Sequence, residues 1–443
     1  MYLKRFFVEG LAHASYLFGA DGAAAVVDPK RDVDDYIEAA ACAGLRIVAI
    51  FNTHPHADFA SGFRELAERT GAQVYVSHLA PAQYEHVDAR DGDRVQIGSL
   101  DVQLLETPGH SPDSLSFLVR EDGKPAAIFT GDLLFVNDVG RPDLRDADED
   151  PSALAGKLYD SLFEKILALP DDVKVYPSHG AGSLCGRAIS EAPFSLVGHE
   201  RKLNWAMQIK DRVEFVRQMT ANLPDRPAYF SYDVDLNLVG APPLSSLPAL
   251  AEMNEDQIKS AARDGASVVD VRTPAEFGAG HLAGSVNIGV SSPSFSTWIG
   301  FLIASDKEIA LVVNASADAR KAQLELARIG FDRVAGYLIA DAISEKGTLP
   351  QMSVQELKGA DHASLVLDVR TPTEWKNGHI ESAQHVPLAS FAKALPKLSR
   401  DRSIAIICGS GYRSSIASSL LRAAGYENVA NVSGGMTAYE EAQ

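Results

Sequence analysis

The sequence places three candidate metal ligands on one short loop. His54, His56 and Asp58 alternate along this loop, at a spacing that is typical of a metal site. The loop follows the apolar run 47–51, which predicts a buried strand. The next residue, Phe59, cannot bind a metal. The loop therefore offers two imidazoles and one carboxylate, and no fourth ligand at its end.

Three further segments carry residues of the same types at the ends of apolar runs. His110 lies on a glycine-containing turn, Asp132 comes just after the run 127–129, and His179 follows the run 173–176. Ligands at the ends of several strands can converge on one edge of a sheet. We therefore expect one metal site assembled from four segments.

A second reactive group lies close to the other end of the chain. After the apolar run 404–407 the chain continues with a cysteine loop composed of Cys408, Gly409, Ser410, Gly411, Tyr412, Arg413 and Ser414. Such a loop can direct backbone N–H groups at the sulfur, and a helix predicted over 416–424 adds positive potential. Both effects stabilise a thiolate and the persulfide anion that it becomes. Arg413 adds a full charge, for the sulfur or for an anionic substrate.

The elements that position these groups form several domains. As far as about residue 235, short apolar runs alternate with turns and with helical patterns at 33–43 and 62–70, which predicts a layered α/β domain. The Pro- and Ser-rich segment 240–248 is predicted to be a linker.

An ungapped internal repeat fills the remaining chain. The block 268–277 returns at 366–375, and Gly-His-Leu at 280–282 returns as Gly-His-Ile at 378–380. The repeat predicts two tandem small α/β domains. The predicted domains are 1–240, 250–350 and 352–443.

Composition excludes some classes of partner. The chain has 443 residues, 46% hydrophobic and 23% charged, which predicts a globular protein of two or three domains. A net charge of −18 argues against nucleic-acid and membrane partners. Because no apolar run is long enough to span a bilayer and the first residues lack the pattern of a signal peptide, we expect neither a membrane span nor a signal segment.

The three cysteines, Cys42, Cys185 and Cys408, are too few and too distant in sequence to suggest a disulfide framework. We therefore expect a cytoplasmic protein. Cys42 lies in an alanine-rich helical pattern and is expected in the core.

The metal-type residues carry a family resemblance over roughly residues 1–235. The order HxHxD, His, Asp, His, each after a strand, resembles the metallo-β-lactamase superfamily, whose fold is an αββα sandwich. Within it the chain is most similar to the persulfide dioxygenases. That similarity implies one Fe(II) per chain, bound by His54, His110 and Asp132, with positions open for O₂ and a substrate sulfur. His56, Asp58 and His179 are then implied to orient the ligands.

Phe59 is a departure from that superfamily. The dizinc hydrolases carry another histidine at this position, so Phe59 removes one imidazole from a second metal site. This fits one iron ion. In similar dioxygenases an arginine at the position of Arg141 helps to hold the thiol co-substrate; the alternative is a loop arginine paired with Asp143 or Asp146.

Two further residues of this segment have open roles. Cys185 is either a sulfur-accepting thiol near the metal or a small buried filler. His13 is expected to make structural hydrogen bonds rather than to act in catalysis.

The cysteine loop and the blocks around it resemble the rhodanese sulfurtransferases over residues 352–443. Arg413 follows Cys408 at Cys-x₄-Arg, whereas a tyrosine phosphatase has the longer Cys-x₅-Arg, so sulfur transfer is favoured. The first copy continues its strand 309–313 with Asn314 and contains no cysteine. We interpret this copy as an inactive rhodanese-homology domain that serves as a packing or docking spacer.

Together the resemblances imply a persulfide dioxygenase fused to a sulfurtransferase. The expected partners are a low-molecular-weight persulfide of glutathione, coenzyme A or a similar thiol, together with O₂, sulfite and thiosulfate, and we expect a homo-oligomer. One alternative is a dizinc thioester or lactone hydrolase with an appended sulfurtransferase. The other is a non-enzymatic sulfur carrier or scaffold.

Overall fold

The computed structural model describes residues 1–144, 150–221, 223, 226–359, 364–391 and 393–442. The chain divides into two compact units. The first contains Met1–Leu247 and Ala327–Gly330, and the second contains Pro248–Leu326 and the chain from Phe331 onward. The division at Leu247 falls within the predicted linker, and both repeat copies lie in the second unit apart from Ala327–Gly330. Asp146, one suggested partner of Arg141, lies outside the described residues.

The first unit begins with a six-stranded sheet whose strands follow one another in chain order. The strands are β1 (Tyr2–Val8), β2 (His13–Ala20), β3 (Ala23–Val27), β4 (Arg46–Phe51), β5 (Gln73–Ser77) and β6 (Val87–Ala89). The first three are antiparallel neighbours, and β3 to β6 pair in parallel.

A second six-stranded sheet completes the sandwich, in the order β14-β13-β10-β9-β8-β7. Its strands are β7 (Arg94–Ile97), β8 (Leu100–Glu106), β9 (Leu115–Glu121), β10 (Lys124–Gly131), β13 (Lys174–Pro177) and β14 (Ser195–Leu196). A two-stranded ribbon follows β10 and consists of β11 (Leu134–Phe135) and β12 (Asp138–Val139).

Helices cover both outer faces of the sandwich. They are α1 (Asp34–Cys42), α2 (Phe63–Thr70), α3 (Pro151–Asp160), α4 (Val197–Leu203), α5 (Arg212–Met219) and α6 (Tyr229–Val239). Short turns of 3₁₀ helix occur at Glu9–Leu11, Ala206–Gln208 and Leu244–Ser246, and a π-helical turn occurs at Ser161–Ile166.

The apolar residues form three buried clusters that define the layers. The inner faces of the two sheets share one cluster, which includes Phe18, Phe51 and Phe129. Helices α1 and α2 pack on the outer face of the first sheet, and α3 to α5 pack on that of the second. The first unit is therefore an αββα sandwich.

The first repeat copy has a parallel four-stranded sheet in the order β17-β15-β18-β19. Its elements are α7 (Glu255–Arg263), β15 (Ser267–Asp270), α8 (Pro274–Ala279), β16 (His281–Leu282), β17 (Val286–Asn287), α9 (Phe295–Leu302), β18 (Ile309–Val313), α10 (Ser316–Ala327), β19 (Val334–Ile339) and β20 (Lys346–Gly347). A 3₁₀ turn lies at Ala340–Ala342, and β16 pairs with β20.

The second copy has a parallel five-stranded sheet in the order β21-β25-β24-β22-β23. Its elements are β21 (Gln351–Met352), α11 (Val354–Gly359), β22 (Leu365–Asp368), α12 (Pro372–Lys376), β23 (Gln384–His385), α13 (Leu388–Phe391), β24 (Ile404–Ile407), α14 (Tyr412–Ala423), β25 (Val429–Val432) and α15 (Gly435–Glu441).

Two local predictions were wrong. Cys42 is exposed, because it is the last residue of α1 and the buried face of that helix passes through Tyr36, Ala39 and Ala40. Helix α14 begins at Tyr412 rather than at residue 416, because Gly411 adopts a left-handed conformation (φ 100°) and starts the helix directly behind the cysteine loop. Among the described residues no helix has the length and apolar character needed to cross a bilayer.

Candidate metal centre and cysteine loop

Strand ends of the sandwich deliver the candidate metal ligands. His54 follows β4, His110 follows β8, Asp132 follows β10 and His179 follows β13. Strands β10 and β13 are parallel neighbours, so their carboxyl ends place Asp132 and His179 side by side. The convergence expected from the sequence is therefore produced by the register of the strands.

The predicted ligand set lies together in the structure. His54, His110 and Asp132 are all buried, and each offers a ligand atom within 4.8 Å of the others. The distance from His110 Nε2 to Asp132 Oδ2 is 3.5 Å. Two imidazoles and one carboxylate in this arrangement form a ligand set suited to a divalent transition metal.

Hydrogen bonds fix the orientation of both histidines in this set. His110 Nδ1 donates to the carbonyl oxygen of Arg141 at 3.0 Å. His54 Nδ1 lies 3.0 Å from Thr53 Oγ1, which itself donates to Asp28 Oδ2 and can therefore accept from the ring. In each ring Nε2 is left as the metal-binding nitrogen.

Asp28 organises the site and was not recognised from the sequence. Its carboxylate accepts from Thr53 N (2.8 Å), Thr53 Oγ1 (2.8 Å) and Ser178 Oγ (2.6 Å), and it lies 3.2 Å from His56 Nε2. Burial alone would raise the pKa of the Asp28 carboxyl, but His56, Ser178 and Thr53 together lower it. The feature that could have identified Asp28 is its place directly after strand β3, as for Asp132 after β10.

The residues present fit a bound metal ion. Both carboxylate oxygens of Asp132 and Oδ1 of Asp58 are buried, and among the described residues no hydrogen-bond donor satisfies them. His179 Nε2 lies 3.3 Å from Asp58 Oδ2 and 3.4 Å from Asp132 Oδ2. Burial would lower the pKa of His179, but Asp132 and Asp58 raise it to about 10. The carboxylates therefore favour positive charge at this position.

Two further groups of ligand-type residues lie beside the first, and the three groups are linked through Asp132 and His179. One consists of His56, Asp132 and His179, and the other of Asp58, His179 and Cys185, each with ligand atoms within 4.8 Å of one another. Asp132 thus belongs to two groups. A second group of ligand-type residues, His56, Asp132 and His179, is therefore present even though position 59 is not a histidine.

Phe59 fills the position of the missing histidine with apolar surface. Its ring stacks on His13 with centroids 3.8 Å apart and lies 4.4 Å from the ring of His56. The structural hydrogen bonds expected for the His13 side chain are not found: within the described part of the chain neither of its ring nitrogens has a partner. Burial, and then His179, lower the pKa of His13 well below its usual value.

Cys185 lies against the same cluster. It is buried, and its backbone carbonyl accepts from Arg141 N at 3.0 Å. Burial raises the pKa of the Cys185 thiol well above its usual value, and the carboxylates of Asp58 and Asp132 raise it further. Burial and the two carboxylates therefore both disfavour the thiolate form of Cys185.

Arg141 is buried and engaged by Asp143. Its Nε and Nη2 donate to the two carboxylate oxygens of Asp143, both at 2.7 Å. A Cβ at the preceding Gly140 would lie 1.9 Å from the Asp132 carbonyl oxygen, so only glycine allows this segment to pass so close to the site. The structure thus matches the loop pairing with Asp143 considered from the sequence.

In the second unit the cysteine loop surrounds the sulfur of Cys408. This residue is buried, and its Sγ accepts from Gly411 N at 3.1 Å and Ser414 Oγ at 3.3 Å. A Cβ at Gly435 would lie 2.4 Å from the Cys408 carbonyl oxygen, which itself accepts from Met436 N at 2.7 Å. The first residue of the loop is therefore held by backbone contacts.

Arg413 has a carboxylate partner that the sequence did not identify. Its Nη1 and Nη2 donate to Glu374 at 2.7 and 2.5 Å. Burial would lower the pKa of Arg413, but Glu374, and then Cys408, raise it. The guanidinium thus lies between the sulfur and Glu374, whose role as the third residue of a helix capping box was the only sequence feature that marked it.

The first repeat copy has no reactive group at the equivalent position. Asp270 pairs with Val312 in the first copy, and the equivalent Asp368 pairs with Ile407 in the second. The residue after Val312, Val313, is therefore equivalent to Cys408, the residue after Ile407. Val313 is fully buried. An isopropyl group therefore stands where the second copy has a thiol.

Comparisons with known proteins agree with this architecture. The metallo-beta-lactamase superfamily model matches residues 8–179, and the rhodanese-like domain model matches residues 251–339 and 353–442. The mitochondrial persulfide dioxygenase ETHE1 of Bos taurus is 32% identical over 198 residues, which are 44% of this chain and 70% of the relative.

Two other proteins are similar over 40% and 76% of this chain. The hydroxyacylglutathione hydrolase of Francisella philomiragia is 34% identical over 183 residues, 40% of this chain and 68% of the relative. The crystal structure of a metallo-beta-lactamase from Staphylococcus aureus is 31% identical, with a TM-score of 0.68, and covers 76% of this chain and 98% of its own.

The chain belongs to the metallo-beta-lactamase superfamily, and two rhodanese-like domains follow its metallo-beta-lactamase domain. That first domain is homologous to the persulfide dioxygenase ETHE1, and with the rhodanese-like domains this supports an enzyme of sulfur metabolism. The predicted fold class is confirmed. The superfamily and the relatives indicate a metal cofactor.

Proposed function

We propose that this protein oxidises a low-molecular-weight persulfide with O₂ to sulfite and transfers sulfane sulfur through Cys408 to sulfite, giving thiosulfate. One observation carries the proposal: His54, His110 and Asp132 meet within 4.8 Å in a chain that also holds a rhodanese-type cysteine loop. Both sites would then handle the same kind of sulfur. The role we propose is sulfide detoxification in the cytoplasm, where a reducing environment keeps the three free cysteines as thiols.

His54, His110 and Asp132 would hold one iron(II) ion. Iron(II) supplies electron density to O₂ and an open position for a sulfur ligand, which redox-inert zinc does not. The protein's contribution is orientation, because Thr53 and the Arg141 carbonyl fix the two histidines. His179 lies beside Asp132 and would position its carboxylate, and Asp58 in turn would hold His179.

The overall oxidation is balanced with water. Persulfide, O₂ and water give the free thiol, sulfite and two protons; the terminal sulfur is oxidised and O₂ is reduced. The persulfide of glutathione, coenzyme A or a similar thiol would be the substrate. Arg141 would bind a carboxylate of that thiol, which would have to replace Asp143 on the guanidinium.

Sulfur transfer requires the thiolate of Cys408. The thiolate attacks the terminal sulfur of a second persulfide, the free thiol leaves, and a cysteine persulfide remains. Gly411 N and Ser414 Oγ already donate to Sγ and would stabilise the persulfide anion. Sulfite then attacks the outer sulfur, thiosulfate leaves and the Cys408 thiolate is regenerated.

The second candidate function is a dinuclear thioester hydrolase with an appended sulfurtransferase. It is favoured by the group of His56, Asp132 and His179, which shares Asp132 with the first group and could hold a second ion. The hydroxyacylglutathione hydrolase of Francisella philomiragia is similar over 40% of this chain. We rank it second because Phe59 leaves a second metal site without the further imidazole that the dizinc hydrolases carry at this position.

Metal analysis and oxygen uptake distinguish the two functions. Protein loaded anaerobically with iron(II) should hold one iron per chain, consume O₂ with glutathione persulfide and release sulfite. Asp132→Ala should lose both the metal and oxygen uptake, whereas the surface variant Glu38→Ala should keep both. Two zinc ions per chain, no oxygen uptake and hydrolysis of S-lactoylglutathione would overturn the proposal.

A further inference from the structure

A buried polar contact joins the inactive copy to the helix behind the cysteine loop. Asn287, at the end of β17 in the first copy, accepts from Ser415 Oγ of α14 through Oδ1 at 2.6 Å. Its backbone N–H donates to Ser419 Oγ at 2.9 Å. Asn287 is 1% exposed and both serines are fully buried. Buried polar groups are stable only when they are paired, so this contact specifies how α14 lies against the first copy.

Asn287 occupies the position that His385 has in the second copy. Asp270 pairs with Asn287 as Asp368 pairs with His385. His385 Nε2 donates to the Arg370 carbonyl, and the amide of Asn287 makes the equivalent bond to the Arg272 carbonyl at 2.9 Å. Because asparagine also carries an acceptor, it performs this internal role and still accepts from the neighbouring helix.

A second bond is made by the same face of α14. Tyr412 Oη donates to the Gly289 carbonyl of the first copy at 3.2 Å. Tyr412, Ser415 and Ser419 are spaced at i, i+3 and i+7, so they lie on one side of the helix. The neighbouring Ser414 points its hydroxyl at Cys408 instead. One turn of α14 therefore carries both the contact with the inactive copy and a donor to the reactive sulfur.

We propose that the inactive copy positions the reactive sulfur, with Asn287 acting through Ser415 and α14 on the donors to Cys408. Gly411 is the N-terminal capping residue of α14 and Ser414 lies in its first turn, so the direction of both donors depends on how this helix is held. The first copy is then part of the sulfurtransferase site rather than a spacer. The biological role that this inference gives to the first copy rests on the proposed sulfur transfer. The predicted effect on the reactivity of Cys408 rests on the geometry alone.

Two serines of α14 provide a matched pair of variants. Ser415→Ala removes the bond to Asn287. Ser418→Ala is the control, because Ser418 is equally buried and its hydroxyl has no hydrogen-bond partner in the part of the chain that the structure describes. Both variants are made in the full-length protein in a Cys42→Ser background, which removes the exposed thiol.

The readout is the rate of Cys408 alkylation by iodoacetamide across pH, with the modified residue located by mass spectrometry. Loss of one hydrogen bond predicts a fall of about 3- to 10-fold at neutral pH for Ser415→Ala and a profile displaced to higher pH. The kcat for thiosulfate formation should fall by the same factor, with KM for sulfite within about 2-fold. Ser418→Ala should match the parent in each measurement.

Equal alkylation profiles for Ser415→Ala and Ser418→Ala would overturn the inference. If Ser415→Ala does not fold, Tyr412→Phe tests the same face by removing only the bond to Gly289, and an unchanged profile there has the same meaning. A parent protein that alkylates normally but never forms thiosulfate would refute the proposed sulfur transfer alone, since the alkylation comparison would still decide the positioning role.

Discussion

In the first rhodanese-like copy, Arg272 donates through Nε and Nη2 to the two oxygens of Asp270 and to a carbonyl oxygen eight residues further along. In the second copy, Arg370 makes the same bonds to Asp368 and to the carbonyl eight residues further along. Each histidine of the two Gly-His pairs also stacks on an aromatic ring, at 4.0 Å in the first copy and 3.7 Å in the second. The supporting framework is thus the same in both.

The two copies differ in the partner of one carboxylate, that of the glutamate in the capping box at the start of α8 and α12. In the first, Glu276 accepts from Asn314 at 2.8 Å. In the second, Glu374 accepts from Arg413, which borders the reactive sulfur. The supporting contacts therefore form whether or not a reactive cysteine is present. The copy with Val313 in the cysteine position has the same Asp–Arg pair and the same capping box as the copy with Cys408.

The largest expected difference between the copies concerns the thiol itself. Cys408→Ser should lower thiosulfate formation by on the order of 10⁴-fold, because the nucleophile is lost, while oxygen uptake with persulfide is retained. Sulfur transfer is measured as the rate of thiosulfate formation, and oxygen uptake is measured with an oxygen electrode. Cys42→Ser, at an exposed position, should change neither. Thiosulfate output that survives in Cys408→Ser would place the transfer elsewhere.

The shared framework should fail equally in both copies. Arg272→Met and Arg370→Met each leave a fully buried carboxylate without its partner, which costs about 3–5 kcal/mol of unfolding free energy. Denaturant unfolding of the full chain should show similar losses, with Arg320→Met on exposed α10 as the neutral control. A large loss in one copy alone would break the equivalence of the two frameworks.

The charge beside the sulfur should have an intermediate effect. Arg413→Gln removes the guanidinium and leaves Glu374 without its ion-pair partner, and a lost charge-assisted bond predicts a fall in sulfur transfer of about 10- to 100-fold. Asn314→Ala, the change at the contact of Glu276 in the first copy, should leave the rate of transfer within about 2-fold. Steady-state kinetics with sulfite measure both.

The smallest effect concerns pH. Burial would raise the pKa of Glu374, but Arg413 and Thr371 lower it to about 2, below its ordinary value of 4.5. A carboxyl whose pKa is depressed by folding stabilises the folded state above the ordinary pKa and loses that contribution as pH falls towards 2. The stability difference between the parent and Glu374→Gln should therefore be constant above about pH 5 and shrink below it. Thermal unfolding between pH 3 and 7 measures this difference, and a gap that does not narrow in acid would contradict it.

Strand ends and the repeat could be predicted because they are local patterns. An apolar run followed by His110 or Asp132 predicts both the strand and the edge of the sheet where the side chain emerges. The repeat likewise predicts two similar domains, and the rhodanese-type loop predicts the helix behind Cys408. These features depend on residues that are close in sequence.

Other features depend on directions and partners that sequence does not specify. The direction in which the Cys42 side chain points from α1 decides its exposure, although Ala39 and Ala40 on the same helix are buried. The partner of Arg413 lies 39 positions away in the chain. Asp28 contacts Thr53 and Ser178, which are 25 and 150 positions distant. Such pairings follow from the assembled fold.

Asp28 has a consequence for how the metal centre forms. Its bonds close loops of 25 and 150 residues, and closing such loops costs chain entropy that is recovered only when much of the sandwich has packed. We therefore expect the acceptors that orient His54 and His56, Thr53 Oγ1 and the Asp28 carboxylate, to be assembled late in folding. We expect metal affinity to be a property of the completed sandwich, so that the ion joins a finished domain and does not guide its folding.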